Sequence, residues 1–148
     1  SGWSGMGFKT VEFEKEWEKF THLRNNIFLS SNTVGLHLAL RVFKQIDGWN
    51  EGDEIITTPL TFVSTNHSIK YEGLNPVFAD VDEYLCLDPF SIEKRITKKT
   101  KAVMAVNWSG KPCELDKIKI IAKLMISPSI FLKKFLFTID LLCVLQPK

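Results

Sequence analysis

The sequence predicts an α/β fold in which a mainly parallel sheet is flanked by helices, in three layers. Two observations lead to this fold class. Short apolar runs of strand length, such as Pro76–Ala79 and Ala102–Val106, alternate with segments in which apolar residues recur at helical spacing. Glycine, proline and asparagine separate these segments. Strands that alternate with helices form right-handed crossovers, so the alternation predicts parallel strands in one sheet.

The N-terminal segment predicts two helices and a short strand between them. Phe13, Trp17 and Phe20 stand at helical spacing among charged residues, which predicts an amphipathic first helix. Ile27–Leu29 predicts a short buried strand. From Thr33 onward, apolar residues cover most of a helix circumference, so we expect the second helix to be largely buried. Its polar face carries His37, Arg41, Lys44 and Gln45.

The next segment predicts a strand followed by a helix. Glu54–Thr58 has the composition of a strand, and Pro59 ends it. A helix is predicted from about Thr61 to Glu72, and Gly73 is predicted to cap it in a left-handed conformation.

Two more helices are predicted around the strand Ala102–Val106. Asp88 is predicted to cap the first of them, with Pro89 at its first helical position. In the second, Leu115, Ile118 and Ala122 form an apolar stripe.

The composition argues against several kinds of partner. The formal net charge is +2, with acidic and basic residues interspersed. We therefore expect no nucleic acid and no membrane among the partners. The three cysteines, Cys86, Cys113 and Cys143, lack the spacing of metal ligands, which predicts reduced thiols in a cytoplasmic protein and no metal site. The first residues lack the pattern of a secretory signal.

Residues 124–148 differ in character from the rest of the chain. They have neither clean helical nor clean alternating periodicity, and Lys133 and Lys134 interrupt their apolar residues. The longest apolar portion is shorter than the roughly 20 residues that span a bilayer. A core strand and helix of an ordinary domain is one interpretation. A shifted reading frame accounts better for the abrupt change, and we predict a boundary between residues 1–123 and 124–148.

The most informative motif is the turn that opens the second helix, Ser31–Gly35. A turn here directs backbone N–H groups and the positive end of a helix dipole at one point, which suits phosphate. A second motif, Thr57–Thr65, follows the next predicted strand. Ligands of parallel sheets bind at the carboxyl ends of strands, so one pocket can use both turns.

Several motifs occur together in one order. They are Gly7–Glu14, Ser31–Leu40, Gly52–Thr57, Pro59–Thr65, Asn75–Asp82, Ile92–Thr97, Thr100–Val103 and Gly110–Ile118. In this order and spacing they resemble the DegT/DnrJ/EryC1/StrS family of sugar aminotransferases, from about Gly5 to Lys123. The resemblance implies that residues 1–123 are part of the large domain of a fold-type I aminotransferase that uses pyridoxal 5'-phosphate.

The resemblance also implies roles for four residues. In the family, the T-x-G turn holds the cofactor phosphate, and the aromatic residue of the T-[FW]-V segment stacks on the pyridine ring. Carried over to this sequence, Asn32, Thr33 and Val34 face the phosphate, and Phe62 stacks on the ring. Many members have glycine in place of Asn32. Asparagine adopts the left-handed conformation more readily than most residues, so we expect it to preserve the turn.

Plainer interpretations exist for these and other polar residues. Thr33 alone is typical of a helix cap, and Phe62 alone is typical of a core residue. Asp80 and Asp82 resemble a catalytic carboxylate pair, but in the family this segment is chiefly structural. The segment Asn107–Gly110 is either a border of the substrate pocket or a plain loop, and we favour the loop.

The partners implied by the resemblance are an amino-acid donor, typically glutamate, and a nucleotide-linked keto-sugar. Intact family enzymes act as homodimers in the biosynthesis of surface polysaccharides or amino sugars. Transamination needs a lysine and a carboxylate that contacts the pyridine nitrogen. In the family, an E-D-x-A segment carries this carboxylate, and the lysine follows it. Both are missing from this sequence, and Phe131–Phe135 stands in place of E-D-x-A. We therefore predict no catalytic residue in this chain and no activity of the chain alone. A catalytically silent cofactor-binding relative and a nonfunctional truncation product are the alternatives.

Overall fold

A four-stranded parallel sheet organises the structure, a computed structural model that describes residues 7–125 and 136–139. The α-helices in these ranges are α1 (Phe8–Thr21), α2 (Asn32–Asp47), α3 (Ser64–Tyr71), α4 (Pro89–Arg95) and α5 (Leu115–Met125). The strands are β1 (Glu54–Thr57), β2 (Asn75–Phe78), β3 (Thr100–Val106) and β4 (Leu136–Ile139). Contacts divide the chain into two compact units, Ser1–Gly35 and Leu36–Lys148.

The sheet has the order β2-β1-β3-β4, and every neighbouring pair of strands is parallel. Ile56 of β1 is paired with Val77 of β2 on one side and with Val103 of β3 on the other. Helices connect these strands, as parallel pairing requires. The predicted α/β fold class is therefore confirmed.

The two central strands bury side chains on both faces of the sheet. Ile55 belongs to one apolar cluster and Ile56 to another, because successive side chains of a strand point to opposite faces. The first cluster contains residues of α2 and α3, and the second contains residues of α4 and α5. The near-continuous burial of β3 is typical of a parallel strand covered on both faces.

The first unit differs from the sequence prediction in one element. The amphipathic helix is present as α1 and is longer than predicted, but no strand forms at residues 27–29. Phe28 is more than half exposed, and its backbone N–H donates to the Glu14 carboxylate at 2.7 Å. Its ring meets the edge of Phe13 at a centroid distance of 5.5 Å. The predicted strand is wrong because its backbone pairs with a side chain of α1 and not with another strand.

Helix α2 is less buried than its composition predicts. Leu36 and Leu40 are buried in the first apolar cluster, whereas Leu38, Val42 and Ile46 are 43%, 49% and 62% exposed. The expectation of a largely buried helix is therefore wrong. The described residues cover one face of α2, and the i, i+4 spacing of the exposed residues places them on another face.

The predicted helix boundaries are confirmed where capping residues determine them. Gly73 has φ +70° at the end of α3, as a left-handed cap requires. The Asp88 carboxylate accepts hydrogen bonds from the N–H groups of Phe90 and Ser91 and caps α4, with Pro89 at the first position. Helix α3 begins at Ser64 and not near Thr61, because the preceding residues form a turn.

Of the C-terminal segment, the structure describes Leu124, the backbone of Met125 and strand β4. Strand β4 pairs with β3, with Val103 opposite Leu136. The predictions about Phe131–Phe135, Lys133, Lys134 and Cys143 lie outside the described residues.

Candidate functional site

The first turn of α2 is capped by the residue that precedes it. The Ser31 hydroxyl accepts a hydrogen bond from the Val34 N–H at 3.3 Å, and the Ser31 carbonyl accepts one from the Gly35 N–H at 3.2 Å. Ser31 is therefore the N-cap, a position that serine favours because its oxygen satisfies an amide at the helix end. The cap uses the Val34 amide, one of the groups predicted to face phosphate.

Two amides of this turn remain for a ligand. Among the residues that the structure describes, the Asn32 and Thr33 N–H groups donate no hydrogen bond. Asn32 is exposed, Thr33 is half-buried, and the first turn of α2 contains no acidic residue. Free amides at a positive helix end favour an anion. The Thr33 hydroxyl adds a further donor to the same turn.

Asn32 has helical geometry in this structure. The non-glycine residues with positive φ in the described chain are His22, Asn25, Leu85 and Ser109, and Asn32 is the first residue of α2. Asn32 therefore does not adopt the left-handed conformation here. A first helical position accepts any residue with negative φ, so replacing the family's glycine with asparagine needs no strained backbone here.

Phe62 lies in the turn between β1 and α3. Its side chain is 62% exposed, which excludes the interpretation of Phe62 as a core residue in the described structure. Side chains hold this turn in place. The Thr58 hydroxyl accepts the Leu60 N–H at 3.1 Å, and the Asn66 amide donates to the Thr58 carbonyl at 3.2 Å. The aromatic ring is thus presented on an ordered turn, free of the core.

The turn that carries Phe62 leaves the sheet at a topological switch point. From β1 the chain continues to β2 at one edge of the sheet, and from β3 it continues to β4 at the other edge. The direction of the strand order therefore reverses between β1 and β3. Ligands of open α/β sheets bind in the crevice outside the carboxyl ends of such strands. Thr57 and Asn107 stand at these two ends, and both are buried.

The sequence-predicted site residues fall into two groups. Asn32, Thr33 and Val34 share one helical turn and belong to the first compact unit up to Gly35. Phe62 belongs to the second unit.

Asp80 and Asp82 hold their own loop, as the resemblance implied. Asp80 accepts the Val81 N–H at 2.9 Å. One oxygen of Asp82 accepts the N–H groups of Tyr84 and Cys86 at 2.8 and 3.0 Å. These contacts give both carboxylates a structural role.

The sequence analysis missed a buried charge cluster. The Glu72 side chain is 4% exposed, and its carboxylate lies 2.6 Å from His37 Nε2 and 3.4 Å from the Arg41 guanidinium. Lys44 donates to the Glu72 backbone carbonyl at 2.6 Å. The spacing of His37, Arg41 and Lys44 on one face of α2 was visible in the sequence, but it does not identify a partner 28 or more residues away.

Other kinds of site are absent from the part of the chain that the structure describes. No group of three or more histidine, cysteine, aspartate or glutamate residues there has the arrangement of a metal site. None of the helices in that part is long and apolar enough to cross a membrane.

Together, these features define the class of the protein. Parallel α/β sheets with a switch point, and helices with free N-terminal amides, are both typical of domains that bind phosphorylated cofactors. A sequence profile of the DegT/DnrJ/EryC1/StrS aminotransferase family matches residues 1–125. The chain belongs to this family.

Two curated relatives illustrate the similarity. The spore coat polysaccharide biosynthesis protein SpsC of Bacillus subtilis is 42% identical over 124 residues, which cover 83% of this chain and 31% of SpsC. GDP-perosamine synthase of Escherichia coli O157:H7 is 38% identical over 121 residues, 81% of this chain and 32% of the synthase. This chain thus spans about a third of the length of these relatives.

A solved structure has a similar fold. NtdA from Bacillus subtilis, with bound cofactor PMP, superposes with a TM-score of 0.73 and 31% identity. The match covers 80% of this chain and 27% of NtdA. The putative sugar aminotransferase Spr1654 from Streptococcus pneumoniae, solved in its PLP form, superposes with a TM-score of 0.73 and 31% identity over 82% of this chain and 30% of Spr1654. Pyridoxal phosphate is the cofactor of the family.

Proposed function

We propose that residues 1–125 form part of the cofactor-binding domain of a sugar aminotransferase dependent on pyridoxal phosphate. In this proposal Asn32, Thr33 and Val34 face the cofactor phosphate, and Phe62 stacks on the pyridine ring. The free amides of Asn32 and Thr33 donate to the phosphate, because the Val34 amide is bonded to the Ser31 hydroxyl. The observation that carries the proposal is the pair of free amides at the first turn of α2, in a chain that belongs to the family.

The residues present fit a phosphorylated cofactor. A dianionic phosphate needs several donors and no nearby carboxylate, and the first turn of α2 has two free amides and no acidic residue. An exposed phenyl ring provides a face for offset stacking on a flat heteroaromatic ring. When bound, pyridoxal phosphate supplies the carbonyl that accepts an amino group and the ring that acts as an electron sink.

The reaction of the intact enzyme would transfer an amino group from an amino acid, with glutamate as the expected donor, to a nucleotide-linked keto-sugar. GDP-perosamine synthase, whose name contains a nucleotide sugar, supports this substrate class. We further propose a cytoplasmic homodimer in surface-polysaccharide or amino-sugar biosynthesis, which the similarity to the spore coat protein SpsC supports.

For the C-terminal segment, we propose that residues 124–148 are translated from a shifted reading frame. The family match ends at residue 125, close to the predicted boundary after Lys123. Sequencing the coding DNA across this boundary tests the proposal. An E-D-x-A segment followed by a lysine in another frame would support it, and their absence from all frames would contradict it.

A second candidate function is a catalytically silent relative that binds the cofactor reversibly. The observation that favours it is that residues 124–148 contain no E-D-x-A segment. Borohydride reduction of the protein expressed from the full coding DNA, in the presence of pyridoxal phosphate, separates the two candidates, because neither candidate places the reactive lysine in this chain. A covalent adduct that maps to one lysine would contradict the silent function, and reversible binding without a specific adduct would support it.

The phosphate site is tested by comparing pyridoxal phosphate with pyridoxal, which lacks the phosphate. Binding is followed by quenching of tryptophan fluorescence, for which the chain has four tryptophans. Asn32→Pro removes one donor while proline suits the first helical position. Because a hydrogen bond to a charged group contributes about 1.5–3 kcal/mol, we expect affinity for pyridoxal phosphate to fall about tenfold or more.

Asn32→Ala is the matched control, because it shortens the side chain and keeps the amide. We expect its affinity to stay near that of the unmodified chain. Equal affinity of the unmodified chain for pyridoxal and pyridoxal phosphate, together with no effect of Asn32→Pro, would place the phosphate elsewhere and overturn this part of the proposal.

The stacking role of Phe62 is tested by two substitutions of different chemistry. Phe62→Leu keeps an apolar side chain but removes the aromatic face, and we expect about threefold to tenfold weaker binding, since aromatic pairs contribute about 0.5–1.5 kcal/mol. Phe62→Trp keeps an aromatic face and should retain affinity. Because Phe62 is 62% exposed, neither change should alter the unfolding midpoint appreciably. Equal affinities for both variants would argue against stacking.

A further inference from the structure

The position of the Phe62 ring depends on its backbone more than on packing. Phe62 and Val63 are 62% and 52% exposed, and neither belongs to an apolar cluster in the described part of the chain. A ring outside the core has few neighbouring side chains that limit its orientation. The hydrogen bonds of the turn that carries Phe62 therefore determine where the ring points.

Asn66, in the first turn of α3, contacts the backbone on both sides of Phe62. Its side-chain amide donates to the carbonyl of Thr58, which precedes Phe62, at 3.2 Å. Its backbone N–H donates to the carbonyl of Val63, which follows Phe62, at 3.1 Å. One residue thus joins the beginning and the end of the turn, residues 58–63.

A pair of hydroxyl groups holds the residue immediately before Phe62. The hydroxyl oxygens of Thr61 and Thr65 lie 3.0 Å apart, and Thr65 is almost completely buried. Because Thr65 and Asn66 are neighbours in α3, the first turn of this helix contacts the turn at two adjacent positions. The geometry of the turn is therefore linked to the start of α3.

The Asn66 side chain is not explained by stability alone. Its Oδ1 atom is buried and accepts no hydrogen bond from the residues that the structure describes. A buried polar atom without a partner destabilises the folded state. Alanine would remove this atom and would favour the helix more strongly than asparagine does. The group of Asn66 that has a visible role is the amide donor that contacts the turn.

We propose that Asn66 is a positioning residue for Phe62, and that its amide donor sets the orientation of the aromatic ring toward the pyridine ring of the cofactor. This inference rests on the stacking role proposed for Phe62 above. Asn66 acts through the backbone of the turn and does not contact the cofactor. Offset stacking depends on the distance and angle between two rings, so a looser turn weakens the stacking while the ring is still present. Removing the ring itself sets the upper limit of the effect.

A double-mutant cycle on the full chain tests this role, with binding of pyridoxal phosphate followed by tryptophan quenching. Asn66→Ala removes the donor and suits a helix. We expect it to weaken binding about threefold in the unmodified chain, and to change affinity by less than about 1.5-fold in the Phe62→Leu chain. A residue that only stabilised the fold would weaken binding by the same factor in both.

Two further variants are matched controls. Asn66→Asp keeps the shape of the side chain but, when ionised, has no donor for the Thr58 carbonyl, so it should weaken binding as Asn66→Ala does. His67→Ala changes the next residue of α3, which is exposed, and should leave the affinity unchanged. An Asn66→Asp affinity equal to that of the unmodified chain would overturn the proposal. Far-UV circular dichroism and urea denaturation show whether each variant is folded.

Hydrogen exchange provides a measurement that needs no cofactor. The Leu60 N–H donates to the Thr58 hydroxyl, and the Thr61 N–H donates to the Pro59 carbonyl, both within the turn. In Asn66→Ala we expect these two amides to exchange several-fold faster, while the amides of β1 keep their rates. Unchanged exchange of both amides would overturn the positioning role, whatever the affinity.

The outcomes distinguish this inference from the proposal on which it rests. Unchanged affinity of Phe62→Leu would overturn the stacking role, and this inference with it. If Phe62→Leu binds more weakly and Asn66→Ala causes the same further loss in both chains, the positioning role is overturned and the stacking role stands. We expect a loss for Asn66→Ala that disappears in the Phe62→Leu chain, together with faster exchange in the turn.

Discussion

The two faces of the sheet bury their polar groups in different ways. The face covered by α2 and α3 contains a carboxylate, Glu72, that lies against His37 and Arg41. The face covered by α4 and α5 contains two thiols, Cys86 and Cys113, in an apolar cluster. One face therefore places a carboxylate beside a guanidinium and an imidazole, and the other buries two thiols, of which Cys113 has a raised pKa.

This difference has a physical cause. Burying a carboxylate is costly unless cations and hydrogen-bond donors surround it, whereas a neutral thiol behaves as a small apolar group. The stability of the first face therefore depends on the residues that surround Glu72. The stability of the second face depends on Cys113 keeping its proton. Breaking the contacts of Glu72 should lower the free energy of unfolding through the first face. Raising the pH should lower it through the second.

The largest expected effect is that of Glu72→Ala. Breaking a buried ion pair costs about 3–5 kcal/mol, and His37 and Arg41 are exposed enough to regain water, so we expect a loss of about 3 kcal/mol in the free energy of unfolding. Urea denaturation followed by circular dichroism measures it. Glu72→Gln keeps an oxygen acceptor and should lose less. A loss below about 1 kcal/mol for Glu72→Ala would show that the pair behaves like a surface salt bridge.

A smaller effect is expected at alkaline pH on the opposite face. Burial raises the pKa of Cys113 from its ordinary value of 9.0 to about 11, so the folded state keeps a proton that the unfolded state loses. Below pH 9 both states bind this proton, and its contribution to stability is fully present. As the pH rises from 9 to about 11 the contribution is lost, on the order of 2 kcal/mol.

Lysine and tyrosine residues also titrate in this range, so the contribution of Cys113 is measured by comparing the unmodified chain with a variant that lacks this thiol. The free energy of unfolding is measured against pH for the unmodified chain and for Cys113→Ala. The unmodified chain should lose stability more steeply with rising pH than Cys113→Ala does. Parallel curves would mean that Cys113 has a similar pKa in the folded and unfolded states.

The features that the sequence predicted correctly are those set by neighbouring residues. The Asp88–Pro89 pair identifies the start of α4, and Gly73 identifies the end of α3, because capping depends on residues within one turn. The apolar runs identify β1 and β3. The local pattern also located the turn at Asn32, which opens α2 without a positive φ.

The features that the sequence did not predict depend on residues distant in the chain. Glu72 and His37 meet across two helices, and Cys86 and Cys113 belong to one apolar cluster although they lie in different loops. Neither arrangement leaves a local pattern in the sequence. Residues 27–29 have strand composition but lie where no strand pairs with them. Local propensity cannot supply a partner strand, so tertiary context decides the outcome.

The smallest expected effect concerns a polar group on the α2 and α3 face that lacks a partner among the described residues. Thr57 is fully buried at the carboxyl end of β1, and its hydroxyl has no hydrogen bond there. By strand alternation it points to the same face as Ile55. Thr57→Val replaces the hydroxyl with a methyl group of similar size, and we expect a gain of about 1 kcal/mol in the free energy of unfolding.

Thr57→Ser is the matched control, since it keeps the hydroxyl and removes the methyl group, and it should destabilise the chain by about 1 kcal/mol. Urea denaturation of both variants measures whether each change raises or lowers the free energy of unfolding. If Thr57→Val is destabilising instead, the hydroxyl is bonded in solution to a water molecule. The Thr57 hydroxyl would then have a partner and would no longer distinguish the first face from the second. The two faces would differ only in their ionisable groups.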